Sequence, residues 1–215
     1  MTKRVFDVCA AMLGLLVSWP VLLLLAVAIK LDSAGPVLHT PVRVGRGHRP
    51  FRVFKFRSMF VDSDKGSAIT SGADSRVTRI GRIIRPLRID ELPQLLNVLI
   101  GDMSLVGPRP EAPSIVERYS AEQREVLTVR PGITGLTQLT SLDEAAQLPG
   151  DVEPTEYYVT HLLPAKLAGD LHYVKTWTFA GDIRILAMTP ICLGRLMLGR
   201  LCFSRLLKVS GRKAA

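Results

Sequence analysis

With 215 residues the chain has room for one domain with a substantial core. A formal net charge of +9 and a pI near 9.9 call for an anionic partner: nucleic acid, phosphorylated substrate or acidic lipid headgroups. A mean hydropathy of +0.24 in so basic a chain favours a membrane surface over DNA. Three widely spaced cysteines without a CxxC pair (Cys9, Cys192 and Cys202) argue against a disulfide framework or a cysteine zinc site, and fit a reducing, cytosol-facing compartment.

Lys3 and Arg4 precede an uncharged run from Val8 to Ile29, long enough to span a bilayer. No small-residue cleavage site follows it, so an anchor is expected rather than a signal peptide. Pro20 near its middle removes a helix hydrogen bond and predicts a bend. Basic residues flank both ends (Lys3 and Arg4; Lys30, Arg43 and Arg46), which suits a helix that enters and leaves by one face; a kinked spanning helix is the alternative. Next, PVLHTPVRVG and FRVFKFRSM are β-rich runs around Gly45–His48 and predict a hairpin. Val61 to Ser75 is small and polar and predicts a surface loop.

Arginines recur every third residue at Arg76, Arg79, Arg82, Arg85 and Arg88, with Pro86 opposing one continuous helix through them. A helix follows with Leu92, Leu95, Leu96 and Leu99 at core spacing, Asp90 and Glu91 at its start and Gly101 at its stop. Glu111 to Arg130 predicts a polar helix ended by Pro131-Gly132. Thr140 to Pro154 reads as an acidic loop, and Glu156–His161 and Lys166–Met188 as helices. Ile191 to Ala215 is a basic, apolar tail without a clean amphipathic face.

Acids at a helix start ordinarily cap it and complement its dipole, which would explain Asp90 and Glu91 without chemistry. Here they lie downstream of an arginine series and upstream of Gly107-Pro108-Arg109-Pro110, where two prolines fix the backbone presenting one guanidinium. Arginine forks match phosphate oxygens. Two carboxylates among phosphate binders suggest phosphoryl transfer: one attacks phosphorus, the other helps hold Mg²⁺. Nearby cations are expected to keep Asp90 ionised. His39, His48, His161 and His172 show no metal-site spacing, and Asp170 and Asp182 read as helix-surface acids by default.

KRVFD, GPVL with RVG, FRVFKFRSM, TRIGRIIRPLRIDELPQLLNVLIGDMSLVGPRP, RPGITGLTQL and YVKTWTFAGDIRIL, spread from Lys3 to about Thr189, together resemble the bacterial sugar transferase family. These are the monotopic polyprenyl-phosphate phosphoglycosyl transferases that begin exopolysaccharide, O-antigen and glycoconjugate synthesis, and the chain is similar to their minimal catalytic core. The resemblance implies a mostly helical α+β fold with a re-entrant membrane helix, a small β-hairpin and helices at the membrane interface. The expected parts are a helix-break-helix over 1–34, a cytosol-facing catalytic domain over 35–190 and a tail over 191–215.

It also implies transfer of a phosphosugar from a UDP-sugar to undecaprenyl phosphate through an aspartyl-phosphosugar intermediate, releasing UMP, at the cytoplasmic face of a bacterial inner membrane. By the same resemblance Asp90 is the nucleophile and Glu91 the Mg²⁺ ligand. Lys55, Arg57, Arg85 and Arg109 bind substrate. Inner-membrane lipid is a partner, nucleic acid is not, and self-association is open. Trp19 between Ser18 and Pro20, and His39-Thr40-Pro41 after GPVL, depart from the family pattern. A non-catalytic membrane scaffold that binds anionic lipid or other glycan enzymes is the alternative, and it predicts no nucleotide release from any donor.

Overall fold

The computed structural model describes residues 2–61, 75–140 and 153–211, with side chains through residue 196 apart from Thr140. The expected loops at 61–75 and 140–154 lie mostly outside that range, as do the side chains of most of the tail.

Helix dominates, as the family resemblance implied, and the first helix is the longest apolar one. α1 (Thr2–Asp32) spans 31 residues, about 46 Å at 1.5 Å per residue, and runs unbroken through Pro20, where a break was expected. It is the one helix among the described residues long and apolar enough to cross a membrane. Leu16, Val17, Leu24 and Leu31 stand largely exposed along it.

Both ends of α1 are fastened to the rest of the protein. At the start, Lys3 donates to the Val106 carbonyl (3.1 Å) and pairs with Asp182, and Arg4 donates to the carbonyls of Val98 and Leu99. Buried Asp7 accepts from the Ser104 hydroxyl at 2.8 Å. At the far end, Asp32 accepts from the Ile80 amide (3.1 Å). Ala10, Ala11 and Leu15 join one core cluster and Leu22, Leu25, Ala26 and Ile29 another, so the packing extends along both halves.

The predicted hairpin is present as two nested antiparallel ladders. β2 (Val42–Val44) pairs with β3 (Pro50–Arg52) around the Arg46–His48 turn, and β1 (Leu38–His39) pairs with β4 (Lys55–Phe56). α2 (Arg79–Ile84) starts at Thr78, whose hydroxyl accepts from the Gly81 amide (3.0 Å). Only glycine fits at 81, because a Cβ there would come within 2.1 Å of the Ser58 carbonyl oxygen.

α3 (Gln94–Ile100) ends at Gly101 with φ 106°, the left-handed stop that its glycine predicted. Its buried face differs from the expected leucine stripe: Leu96 is 40% exposed, whereas Asn97 is fully buried. Asn97 accepts from the Phe54 amide (2.9 Å) and donates to the Arg52 carbonyl (2.7 Å), tying α3 to the β3–β4 connection. A polar residue did the work of the expected apolar one because the connection leaves backbone groups that water cannot reach. Asn97→Leu strands both groups and is expected to cost about 3 kcal/mol, read as a lowered denaturant midpoint with unchanged slope.

β5 (Ser104–Val106) and β6 (Gly132–Thr134) form a parallel pair. The expected long helix over 111–130 is instead α4 (Pro113–Val116) and a 3₁₀ stretch (Gln123–Thr128). Beyond β6 come α5 (Leu136–Thr140) and α6 (Pro154–Tyr157), which runs through a π turn into α7 (Leu163–Lys175). α8 (Phe179–Gly211) follows, with the expected boundary at 190/191 falling inside it. Asp170 and Asp182 are buried rather than surface acids: Asp170 accepts from Thr137 (2.7 Å), and Asp182 from Tyr173 (2.7 Å) and Trp177 (2.9 Å).

Candidate active site

Asp90 and Glu91 lie on a single 3₁₀ turn (Ile89–Glu91) just ahead of α3, not in its first turn. The turn begins at Arg88, which takes φ 53°, a left-handed conformation that a non-glycine residue adopts at a cost of about 1 kcal/mol. That twist sends both carboxylates inward: Asp90 is 4% and Glu91 6% exposed. β4 packs against the turn and brings Lys55 in, its Nζ 3.4 Å from Asp90 Oδ2. Arg85, at the end of α2, is oriented by the Ser58 hydroxyl (3.3 Å) and adds its field to Asp90.

Glu91 is held by arginine. Arg109 donates to it as a fork, Nη2 to Oε1 at 2.7 Å and Nη1 to Oε2 at 3.3 Å, and Arg88 stands at 3.8 Å. The fork's position follows from glycine chemistry in the strands behind it. The Gly107 amide donates to the Thr134 carbonyl (3.0 Å) and the Gly132 amide to the Pro108 carbonyl (2.9 Å). A Cβ at Gly132 would lie 2.1 Å from the Gly107 nitrogen, so the Pro-Arg-Pro segment can be clamped this tightly only where both chains are bare.

The two carboxylates titrate in opposite directions. Burial raises Asp90, and adjacent Glu91 adds to the rise, against the opposing fields of Lys55 and Arg85. Nearby cations and the helix end were expected to keep Asp90 ionised; Lys55 and Arg85 do pull its pKa down, but desolvation is the largest effect there. Burial pushes Glu91 upward too, but the Arg109 charge and hydrogen bonds, with Arg88 and Lys55, outweigh it and hold the pKa at about 2.

Asp90, Glu91, Lys55, Arg85 and Arg109 therefore converge on one locus. Arg57 does not join them through its guanidinium. Almost fully buried, it donates to the carbonyls of Ser33 (2.6 Å), Ala34 (2.7 Å) and Ile29 (3.3 Å), closing the C-terminal end of α1. Arg88 was missed as a site residue, although its i,i+3 spacing to Glu91 is visible in the sequence.

The carboxylates form the floor and the cations the rim: the side chains of Lys55, Arg88 and Arg109 are 23%, 29% and 31% exposed. An anion reaches the cations first. No group of three or more His, Cys, Asp or Glu side chains gathers among the described residues, so no all-protein metal cage is present there. Two neighbouring carboxylates do fit Mg²⁺, which is commonly held by one or two of them and completes its shell with water and substrate phosphate.

The bacterial sugar transferase sequence model matches residues 1–195. The UDP-glucose:undecaprenyl-phosphate glucose-1-phosphate transferase of Caulobacter vibrioides is 45% identical over 191 residues, covering 87% of this chain and 67% of that protein. The UDP-N-acetylgalactosamine-undecaprenyl-phosphate N-acetylgalactosaminephosphotransferase of Aeromonas hydrophila is 41% identical, covering 87% and 42%. The exopolysaccharide production protein PSS of Rhizobium leguminosarum bv. phaseoli is 40% identical, covering 88% and 93%. The chain thus spans less than half of one of these relatives and nearly all of another. On a match that extends from α1 into α8 and takes in the whole carboxylate–arginine locus, the chain belongs to the bacterial sugar transferase family.

Proposed function

We propose that the chain transfers a sugar 1-phosphate from a UDP-sugar to undecaprenyl phosphate in two displacements at Asp90. An Asp90 carboxylate oxygen bonds to the sugar-bearing phosphorus as the diphosphate bridge to UMP breaks, leaving an aspartyl-phosphosugar and free UMP. A phosphate oxygen of undecaprenyl phosphate then bonds to the same phosphorus, the acyl-phosphate bond breaks, and the carboxylate is regenerated with undecaprenyl-diphospho-sugar as product. The single observation that carries this is a buried carboxylate 3.4 Å from the Lys55 ammonium, with an arginine fork on the acid next to it.

Donor phosphates meet Lys55, Arg88 and Arg109 at the rim and share the Arg109 guanidinium with Glu91. Glu91, kept ionised at neutral pH, is then the residue that would hold Mg²⁺. When bound, Mg²⁺ offsets negative charge on the leaving phosphate. Lys55 holds Asp90 toward its ionised form. Lys55→Met therefore shifts the acid limb of the kcat/KM profile to higher pH, and an unmoved limb would remove Lys55 from this role.

The same proposal places the site at the cytoplasmic face of the inner membrane. Both ends of α1 are fastened to one polar body while its exposed side is apolar, which supports a helix embedded from one face rather than one whose far end stands alone across the bilayer. Purified protein in nanodiscs, given undecaprenyl phosphate and a panel of UDP-sugars, should release UMP with at least one donor. Silence with every donor, with Mg²⁺ present, would leave only the scaffold.

A further inference from the structure

A second gathering of arginines lies away from the dyad, where α1 starts and α3 ends. Arg4 donates to the carbonyls of Val98 (2.6 Å) and Leu99 (3.0 Å), and Arg130 donates through Nε to the Gly101 carbonyl (2.8 Å). Both guanidiniums close on Gly101: a Cβ there would lie 3.4 Å from Arg4 Nη2. A helix C-terminus carries a partial charge of about −0.5, so one guanidinium already outweighs it and two leave a positive excess. The turn Arg46–His48, packed against the 3₁₀ stretch Gln123–Thr128, brings the field of Arg46 to Arg130 as well. Of the acids near by, Asp7 is buried and committed to the Ser104 hydroxyl and the Leu105 amide (3.3 Å), which leaves Asp102, one residue beyond Gly101. The Nη groups of Arg130 make no hydrogen bond or ion pair among the described residues. Apolar surface begins at the same place. Val5 follows Arg4, Met12 lies two turns further on the same side of α1, and Ile100 sits between the carbonyls that the arginines hold; all three are more than half exposed.

We propose that Arg4 and Arg130 bind the phosphate of an anionic phospholipid, whose acyl chains lie over Val5, Met12 and Ile100. Guanidinium forks match phosphate oxygens, and the open Nη pair of Arg130 is such a fork. A soluble phosphate would satisfy the cations but has nothing to set against the apolar side chains beside them, whereas a phospholipid supplies both parts. Each cation near an acidic leaflet favours anionic lipid by about fivefold, so two give a preference on the order of 20-fold. The headgroup fastens the first turn of α1 to the bilayer, while Lys3 and Asp7 fasten it to β5. No step of sugar-phosphate transfer enters into this site.

The test uses full-length protein in detergent micelles holding equal amounts of phosphatidylglycerol and phosphatidylcholine, with native mass spectrometry counting the lipid that stays bound. The parent should retain phosphatidylglycerol in preference, and Arg130→Gln should cut that preference about fivefold. Ile100→Glu, at a position open to solvent, sets a carboxylate beside both guanidiniums and should abolish it. Arg118→Gln removes the same charge from an exposed pair with Glu156 and should leave the preference unchanged. Glycerol 1-phosphate, an equivalent phosphate without acyl chains, should not displace the lipid. A parent without preference overturns the proposal, as does preference kept in both Arg130→Gln and Ile100→Glu. Equal loss in Arg118→Gln would show net charge at work rather than a site, and displacement by glycerol 1-phosphate a site for soluble anions; either overturns it. Should Arg130→Gln not fold, Ile100→Glu decides. Because UMP release is not read, a protein without transferase activity would remove the reading above and leave this one standing or falling on lipid alone.

Discussion

Asp90→Asn is expected to cut UMP release by about 10³-fold or more while the protein remains on membranes and stays folded. On the mechanism proposed above, an amide oxygen cannot form the acyl-phosphate, so the first displacement stops rather than slows. The fold has little to lose. A folded pKa raised above 3.8 means that the ionised carboxylate is disfavoured by its burial, so a neutral amide of the same shape relieves that cost. Its neighbour Lys55 is 23% exposed and can turn to solvent. Equal or higher thermal stability with lost turnover is thus the expected pair of results, the usual trade between function and stability at an active site. Wild-type rates of UMP release from Asp90→Asn would show that no bond from this side chain to phosphorus is needed.

Arg109→Ala is expected to injure both stability and turnover. Glu91, 6% exposed, would keep Arg88 at 3.8 Å and the field of Lys55, and breaking a buried pair by removing one partner costs about 3–5 kcal/mol. The acid response gives a sharper measure. Glu91 is depressed from 4.5 to about 2, so between those values the unfolded chain binds more protons than the folded one. The stability it contributes is present above about pH 4.5 and is lost as pH falls toward 2, in all about 3 kcal/mol. Asp90 works in the opposite sense, because its raised pKa favours the folded state as it protonates. Removing Arg109 should flatten the Glu91 part of this profile and reduce kcat/KM about 10²-fold. An acid-unfolding curve parallel to that of the parent would mean that Arg109 is not what keeps Glu91 ionised.

Local rules carried much of the architecture into the sequence. β-rich runs around Gly45–His48 gave the hairpin, and Gly101 the α3 stop, because each depends on neighbours within a few residues. The convergence of Asp90, Glu91, Arg85 and Arg109 was also legible, since all four lie within the 25 residues from Arg85 to Arg109.

What lay out of reach depended on distant partners. KFRSM offers Lys55 and Arg57 as equivalent cations, yet their side chains leave β4 in different directions. One reaches Asp90, and the other is spent on the carbonyls at the end of α1. The leucine spacing of α3 could not show that Asn97 would be the buried residue, because the groups it satisfies come from Phe54 and Arg52. Nor could charge counting give the opposite pKa directions of the dyad, since cations were visible in the sequence and the desolvation that outweighs them at Asp90 was not.

By itself, then, the sequence determined the family, the carboxylate pair and nearby Arg109, because those are properties of residue type and short spacing. Only the tertiary structure decided which cation serves which acid. It set Asp90 upward and Glu91 downward in pKa and turned Arg57 into a helix cap, because burial and long-range pairing are fixed only when segments far apart in the chain close on one another.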